Sequence, residues 1–239
     1  DITSLDGSDK KISGSAGVGP LTGKVTLEGP IIKDRTTFVA GVRTTYSNWL
    51  FKLLPSEYEK SKASFSDATI HISHKVDNKN NIYLNGYISG DKFNLNSDTT
   101  YQYYNKNANI KWKHNFNNRF YGVLSGGIDH YDYKVSSDEN PVNAYALAYK
   151  INQYKANLDF SYFLNNKHKL SFGLSTLKYK ISSGTYDPFG KQSLVIADTV
   201  EAEHALESAA YISDQFNITP DLSLEGGIRY SLFNYLGPK

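Results

Sequence analysis

Three groupings carry residue types capable of chemistry. Asp129, His130 and Asp132 set two carboxylates around an imidazole, the acid and base types of a hydrolytic site. A catalytic constellation also needs a positioned nucleophile, and the sequence places no serine beside them and holds no cysteine at all. They read as a cluster at a loop end. His71 and His74 stand three apart in an alternating stretch, so they point to opposite faces of a strand and cannot share a metal ion. The run GSAGVG, Gly14 to Gly19, lacks the spacing of a phosphate-binding loop and has no helical pattern after it. It reads as a strand-and-turn glycine cluster. The NIT triplet at Asn217 to Thr219 matches a glycosylation acceptor but lies at a polar turn. The expectation is a protein that is not an enzyme, with no catalytic residues, no metal and no cofactor.

What must be positioned instead emerges from the stretch YKANLDFSYFLNNKHKLSFGL, Tyr154 to Leu174. Ala156, Leu158, Phe160 and Tyr162 alternate with Asn157, Asp159 and Ser161. After a polar turn, Leu170, Phe172 and Leu174 alternate with Ser171 and Gly173. That pattern predicts two strands, each with one apolar face. Tight polar turns recur at Ile32 to Arg35, Asp77 to Asn81, Asn115 to Arg119, Leu164 to His168 and Ile218 to Leu222. Longer connections fall between them, around Trp49 to Phe65, Phe93 to Thr100, Ser136 to Pro141 and Gly184 to Thr199. An outer-membrane barrel sorts its connections in this way, with short periplasmic turns and longer extracellular loops.

Bulk properties agree. The 239 residues carry a formal net charge of +2, too little to single out nucleic acid as partner. No run approaches the roughly 18 apolar residues of a membrane-spanning helix. Mean hydropathy is -0.49, which excludes little, because a barrel with a wet interior exposes only alternate residues to lipid. The 19 tyrosines and 12 phenylalanines suit interfacial belts. Residue 1 follows no signal-like segment and methionine is absent, so the expectation is a processed or partial piece of a longer protein.

The predicted fold is therefore all-β: residues 1–239 form one segment of antiparallel transmembrane β-barrel, with about 10 to 11 strands counted from Lys11. The apolar faces run over about ten residues, close to the 9 to 11 that a tilted strand needs to cross a bilayer. His74, His114 and Asp214 fall on the apolar side, but all sit near the tight turns, where a polar group is tolerated best. Trp112, Phe116, Phe120, Tyr162, Phe163 and Phe216 are candidates for an interfacial girdle.

The segment GKVTLEGPIIKDRTTFVAGVRTTY, Gly23 to Tyr46, resembles an early barrel hairpin of TonB-dependent outer-membrane receptors, particularly of the Bacteroidetes type. LSLEGGIRYSLFNYLGP, Leu222 to Pro238, is similar to a mid-barrel strand of the same family. The resemblance implies part of a 22-stranded barrel with a plugged lumen, about its first half, in the bacterial outer membrane. Plug, TonB box and later strands have no counterpart in these residues. It implies active uptake of a nutrient, with outer-membrane lipid around the wall and TonB acting through a plug. A scaffold for surface lipoproteins and a passive porin are the alternatives.

Parity sends Lys24, Glu28, Arg43, Lys75, Lys111, Lys113, Lys155, Asp159, Glu225 and Arg229 towards the lumen. They read as a hydrated wall, and the family resemblance adds plug contacts at Glu28, Arg43, Glu225 and Arg229. Tyrosines gather towards the outer rim, at Tyr101, Tyr103, Tyr104, Tyr131, Tyr133, Tyr145 and Tyr149. Each offers a rigid apolar ring with a hydroxyl, suited equally to a membrane girdle or to a ligand; the ligand candidates are Tyr101, Tyr103, Tyr104, Tyr131 and Tyr133.

Overall fold

A computed structural model describes residues 6–95 and 99–238. The alternating segments become one 12-stranded antiparallel sheet. Its strands are β1 (Ser13–Val18), β2 (Thr22–Ile32), β3 (Thr36–Thr45), β4 (Lys62–Lys75), β5 (Asn80–Leu95) and β6 (Thr99–Asn117). They continue as β7 (Phe120–Ser137), β8 (Tyr145–Phe163), β9 (His168–Pro188), β10 (Asp198–Thr199), β11 (Ala202–Thr219) and β12 (Leu222–Pro238). Eleven of them pair strictly in chain order, and the two-residue β10 pairs only with the far end of β9. Among the described residues, helix is confined to Asn48–Phe51 and one 3-10 turn, Ser56–Tyr58, both in the connection before β4.

The register fixes two faces. One row of directly opposed residues reads Leu124, Leu158, Leu174, Ala210, Tyr230 across β7, β8, β9, β11 and β12. One residue over, the row reads Val123, Asp159, Gly173, Tyr211, Arg229. A slip of one residue would exchange the faces, so the alternation itself holds the register.

The packing of the apolar face decides what surrounds it. Leu174 is 57% exposed, Ile110 53%, Ile212 53% and Ile228 76%. The only buried hydrophobic residues among those described are Val135, Ala144, Ala146, Ala205 and Ala209. A sheet of this size cannot leave its aliphatic side chains in water, since each costs about 1.5–3 kcal/mol relative to burial. Lipid satisfies that face, and its limits are marked. On β8 the apolar positions run from Tyr154 to Tyr162 and end at Asn152 above. At the turn end, rings stack across strands: Phe116 on Phe120 at 4.7 Å, Phe120 on Phe160 at 5.6 Å and Phe160 on Phe172 at 5.3 Å. Phe163 is not in this girdle; it pairs with Lys169 on the opposite face, 6.3 Å from Tyr121.

The three polar residues expected on the lipid face near the tight turns each have a partner. His74 bonds Thr36 Oγ1 at 2.8 Å, His114 Nδ1 meets Asn80 Oδ1 at 2.7 Å, and Asp214 accepts from His168 Nδ1 at 2.7 Å.

Strands are longer than the sequence spacing suggests. From β4 onward the main strands run 14 to 21 residues, beyond the 9 to 11 that a bilayer requires. The surplus lies on the long-loop side. There β5 ends at Leu95 and β6 begins at Thr99, so most of the expected Phe93 to Thr100 connection is strand. Turns at the other rim are tight: Asp34 takes a positive φ of 59° between β2 and β3, a conformation aspartate tolerates.

Candidate functional site

The second face carries the candidate chemistry. All ten charges assigned to the lumen by parity lie on it; Arg43 and Lys155 form ion pairs with neighbours on adjacent strands, and Glu28, Asp159 and Arg229 are held by neutral hydrogen-bond partners. Arg43, on β3, donates to Asp67 Oδ2 on β4 from Nε at 2.8 Å and lies 2.7 Å away through Nη2. Its guanidinium also stands 4.6 Å above the Phe65 ring. Glu28 accepts from Ser13 Oγ at 3.0 Å. On the far side of the sheet, Arg229 donates from Nη2 to Ser175 Oγ at 3.2 Å, and Glu225 lies opposite Gln215. The candidate plug contacts thus form two separate patches, Glu28 with Arg43 near β1 and Glu225 with Arg229 on β12.

Beside Arg229 is a contact that the spacing did not reveal. Tyr211 donates to Asp159 Oδ1 at 2.6 Å across the intervening β9. The ring can cross only because residue 173 is glycine: a Cβ there would sit 2.8 Å from Tyr211 Cε1 and 2.9 Å from Asp159 Oδ1. Glycine inside a strand marks such a close approach.

The lumen wall also carries a continuous polar chain. Asp6 reaches His71 Nε2 at 3.1 Å, and His71 Nδ1 meets Asn85 Oδ1 at 2.5 Å. Asn85 donates to Asn109 at 2.8 Å, Asn109 to Asn107 at 3.3 Å, and Asn107 to Asp129. Asp129 closes the run on Lys155 at 2.8 Å. It crosses β4 to β8. The signal was present in Asn105, Asn107 and Asn109, three asparagines two apart and so on one face, but singly they resemble ordinary turn formers.

The Asp129, His130 and Asp132 grouping does not assemble. Asp129 belongs to the lumen chain, whereas His130 and Asp132 face outward, 2.6 Å apart through Nε2 and Oδ2. His71 and His74 likewise part to opposite faces. Among the described residues no three metal-binding side chains converge.

The tyrosines divide as well. Tyr103 and Tyr133 stack on the lumen face with centroids 5.0 Å apart, and register places Tyr149 next to Tyr133 and Tyr131 next to Asn105. Tyr101 and Tyr145 share that face, opposite Val135 and Ser137. Tyr104 turns outward, opposite Gly90 and Asp132, and is 45% exposed. Four of the five ligand candidates therefore line one side of the strand extensions.

A sheet whose exposed aliphatic face ends in an aromatic girdle, and whose other face is a hydrogen-bonded charged surface, is the wall of an outer-membrane β-barrel. The chain belongs to the family described as TonB dependent receptor-like, beta-barrel, whose pattern matches residues 32–237. Solved structures share the fold. The siderophore receptor PiuA from Acinetobacter baumannii is 13% identical with a TM-score of 0.68, over 97% of this chain and 44% of that one. The ferric preacinetobactin receptor BauA from the same organism is 10% identical with a TM-score of 0.65, over 92% and 40%. The copper transporter OprC is 9% identical with a TM-score of 0.68, over 92% and 36%. The chain thus spans less than half the length of these receptors. No curated protein sequence matches it.

Proposed function

We propose that this chain is the wall of a TonB-dependent receptor that takes up a scarce nutrient across the outer membrane, with energy supplied through TonB acting on a plug. The observation that carries the reading is the two-sided wall: lipid on one face, and on the other a wet lumen whose outer mouth bears Tyr101, Tyr103, Tyr131 and Tyr133. Paired rings with hydroxyls fit a ligand that is partly flat and partly polar. Glu28, Arg43, Glu225 and Arg229 are the proposed plug contacts, because charge-assisted bonds hold a plug firmly yet can be exchanged. The segment Gly23 to Tyr46 supports a Bacteroidetes-type member.

The test is uptake by cells lacking the gene and complemented with it, under limitation for iron chelate, vitamin, glycan or peptide in turn. Uptake of one class should depend on the gene, collapse with a protonophore, and weaken when Tyr103 and Tyr133 are both alanine. Uptake that survives the protonophore would indicate a passive pore. No uptake of any class, together with a lipoprotein co-purifying with the barrel, would favour the surface scaffold.

A further inference from the structure

At the outer mouth, one row of directly opposed residues on the lumen face reads Phe65, Asp91, Tyr103, Tyr133, Tyr149 across β4 to β8. A single carboxylate stands among four aromatic rings, and all five residues are half-buried. Tyr103 and Tyr133 stack with centroids 5.0 Å apart. Phe65 and Tyr103 flank Asp91 from strands two steps apart, about 10 Å at the usual strand spacing. Lys92 and Lys134, next to Asp91 and Tyr133 in the chain, point to the other face.

We propose that this row binds an alkylated ammonium group, the cationic end of the ligand that enters the mouth. The negative face of an aromatic ring attracts a cation, and a carboxylate beside the rings adds its charge. The row already holds one cation in this way: the Arg43 guanidinium stands 4.6 Å above the Phe65 ring, with Nη2 2.7 Å from Asp67. That one guanidinium serves two carboxylates, because Asp91 has no ion pair of its own among the described residues. The trio is one positive charge short. Burial and then the Asp67 charge push the Asp91 carboxyl above its ordinary value, and Arg43 only partly offsets them. A bound cation would favour its charged form. Four rings to one carboxylate suit methyl groups around a nitrogen better than a primary ammonium, whose three donors would lose water without finding acceptors. The inference rests on the uptake reading, since Tyr103 and Tyr133 are the rings assigned there to the ligand, and it narrows that ligand to organic cations.

The test uses the complete gene product folded in detergent and calorimetric titration with four probes. These are choline, ethanolamine, the alcohol in which carbon replaces the choline nitrogen, and the carboxylate of that same carbon skeleton. Choline should bind about tenfold more tightly than any of the other three. Asp91→Asn should weaken choline binding about tenfold. Tyr103→Leu with Tyr133→Leu should weaken it about 25-fold, at about fivefold for each ring removed. Phenylalanine at both positions keeps the rings and should bind within about twofold of the parent. Glu207→Gln removes a lumen carboxylate that faces Leu177 and Phe233, outside the row, and should bind as the parent does. Equal binding of choline and its uncharged analogue, equal binding of ethanolamine, displacement by equimolar magnesium, or full binding by Asp91→Asn would each overturn the proposal. Heat-modifiable gel mobility confirms that each variant is folded. Choline binding by a protein that takes up no nutrient would count against the transport reading and leave this one standing; gene-dependent uptake without choline binding would do the reverse.

Discussion

Replacing Leu174 with arginine puts a charge into the middle of the lipid face, between the Phe160 and Phe172 rings on one side and Lys178 on the other. Leu174 lies opposite Leu158 and Ala210 and is 57% exposed, so no protein group is available to pair with the guanidinium. An arginine at the bilayer midplane costs about 2–4 kcal/mol, or about 30-fold to 700-fold in the folding equilibrium at 1.4 kcal/mol per tenfold. Ser171, three residues away on β9, faces Ser161 and Ser213 on the wet side, and the same substitution there should cost close to nothing. The assay is denaturant unfolding of the complete gene product from phospholipid vesicles, followed by tryptophan fluorescence. Leu174→Arg should lower the midpoint well below that of Ser171→Arg. Equal midpoints, or a protein that stays folded and monodisperse without lipid or detergent, would refute the assignment of the apolar face to the membrane.

Gly173→Ala should break the Tyr211 to Asp159 bond by filling the space the ring crosses, and should destabilise by about 1.5–3 kcal/mol, the range for a hydrogen bond to a charged group. Denaturant midpoints should show it costing more than Tyr211→Phe, which keeps the ring in place. At the short-turn rim, the backbone N–H of Lys79 and then the Asn80 side chain hold the Asp77 carboxyl below its ordinary value. The depressed group contributes stability above the unfolded-chain value of 3.8 and loses it as pH falls through the lower folded value. Asp77→Ala should accordingly lower the unfolding midpoint at neutral pH and converge with the parent well below pH 3.8. Glu28→Ala combined with Arg229→Ala should alter uptake or antibiotic leakage while insertion, read by gel mobility, stays intact; unchanged permeability would leave both as ordinary wall residues.

The strands and faces were legible because alternation is a local signal, visible in segments such as Tyr154 to Tyr162, and because tight turns announce themselves with Asn, Asp and Pro. Strand ends were not. Past the membrane both faces meet water, so the pattern from Leu95 to Thr100 no longer separates strand from loop. Parity placed the lumen charges but not their partners, since which residue opposes which depends on register between strands. Tyr104 was grouped with Tyr103 by adjacency, although neighbours on a strand point apart. Tyr211 escaped notice because its reach to Asp159 depends on Gly173, a residue on a third strand.

The length of these strands has a consequence for how the surface of the cell is shaped. β9 runs 21 residues, about 70 Å of backbone at 3.3 Å per residue, and at a tilt near 45° it rises about 50 Å. With about 30 Å given to the hydrocarbon core, roughly 20 Å of pleated ribbon stands above it. An antibody or a phage tail fibre arriving from outside would meet the connecting loops carried on a stiff collar of strand. Residues of that collar are fixed in pairs by the ladder, so escape from such an attacker would come by exchanging side chains at alternate positions rather than by lengthening a loop.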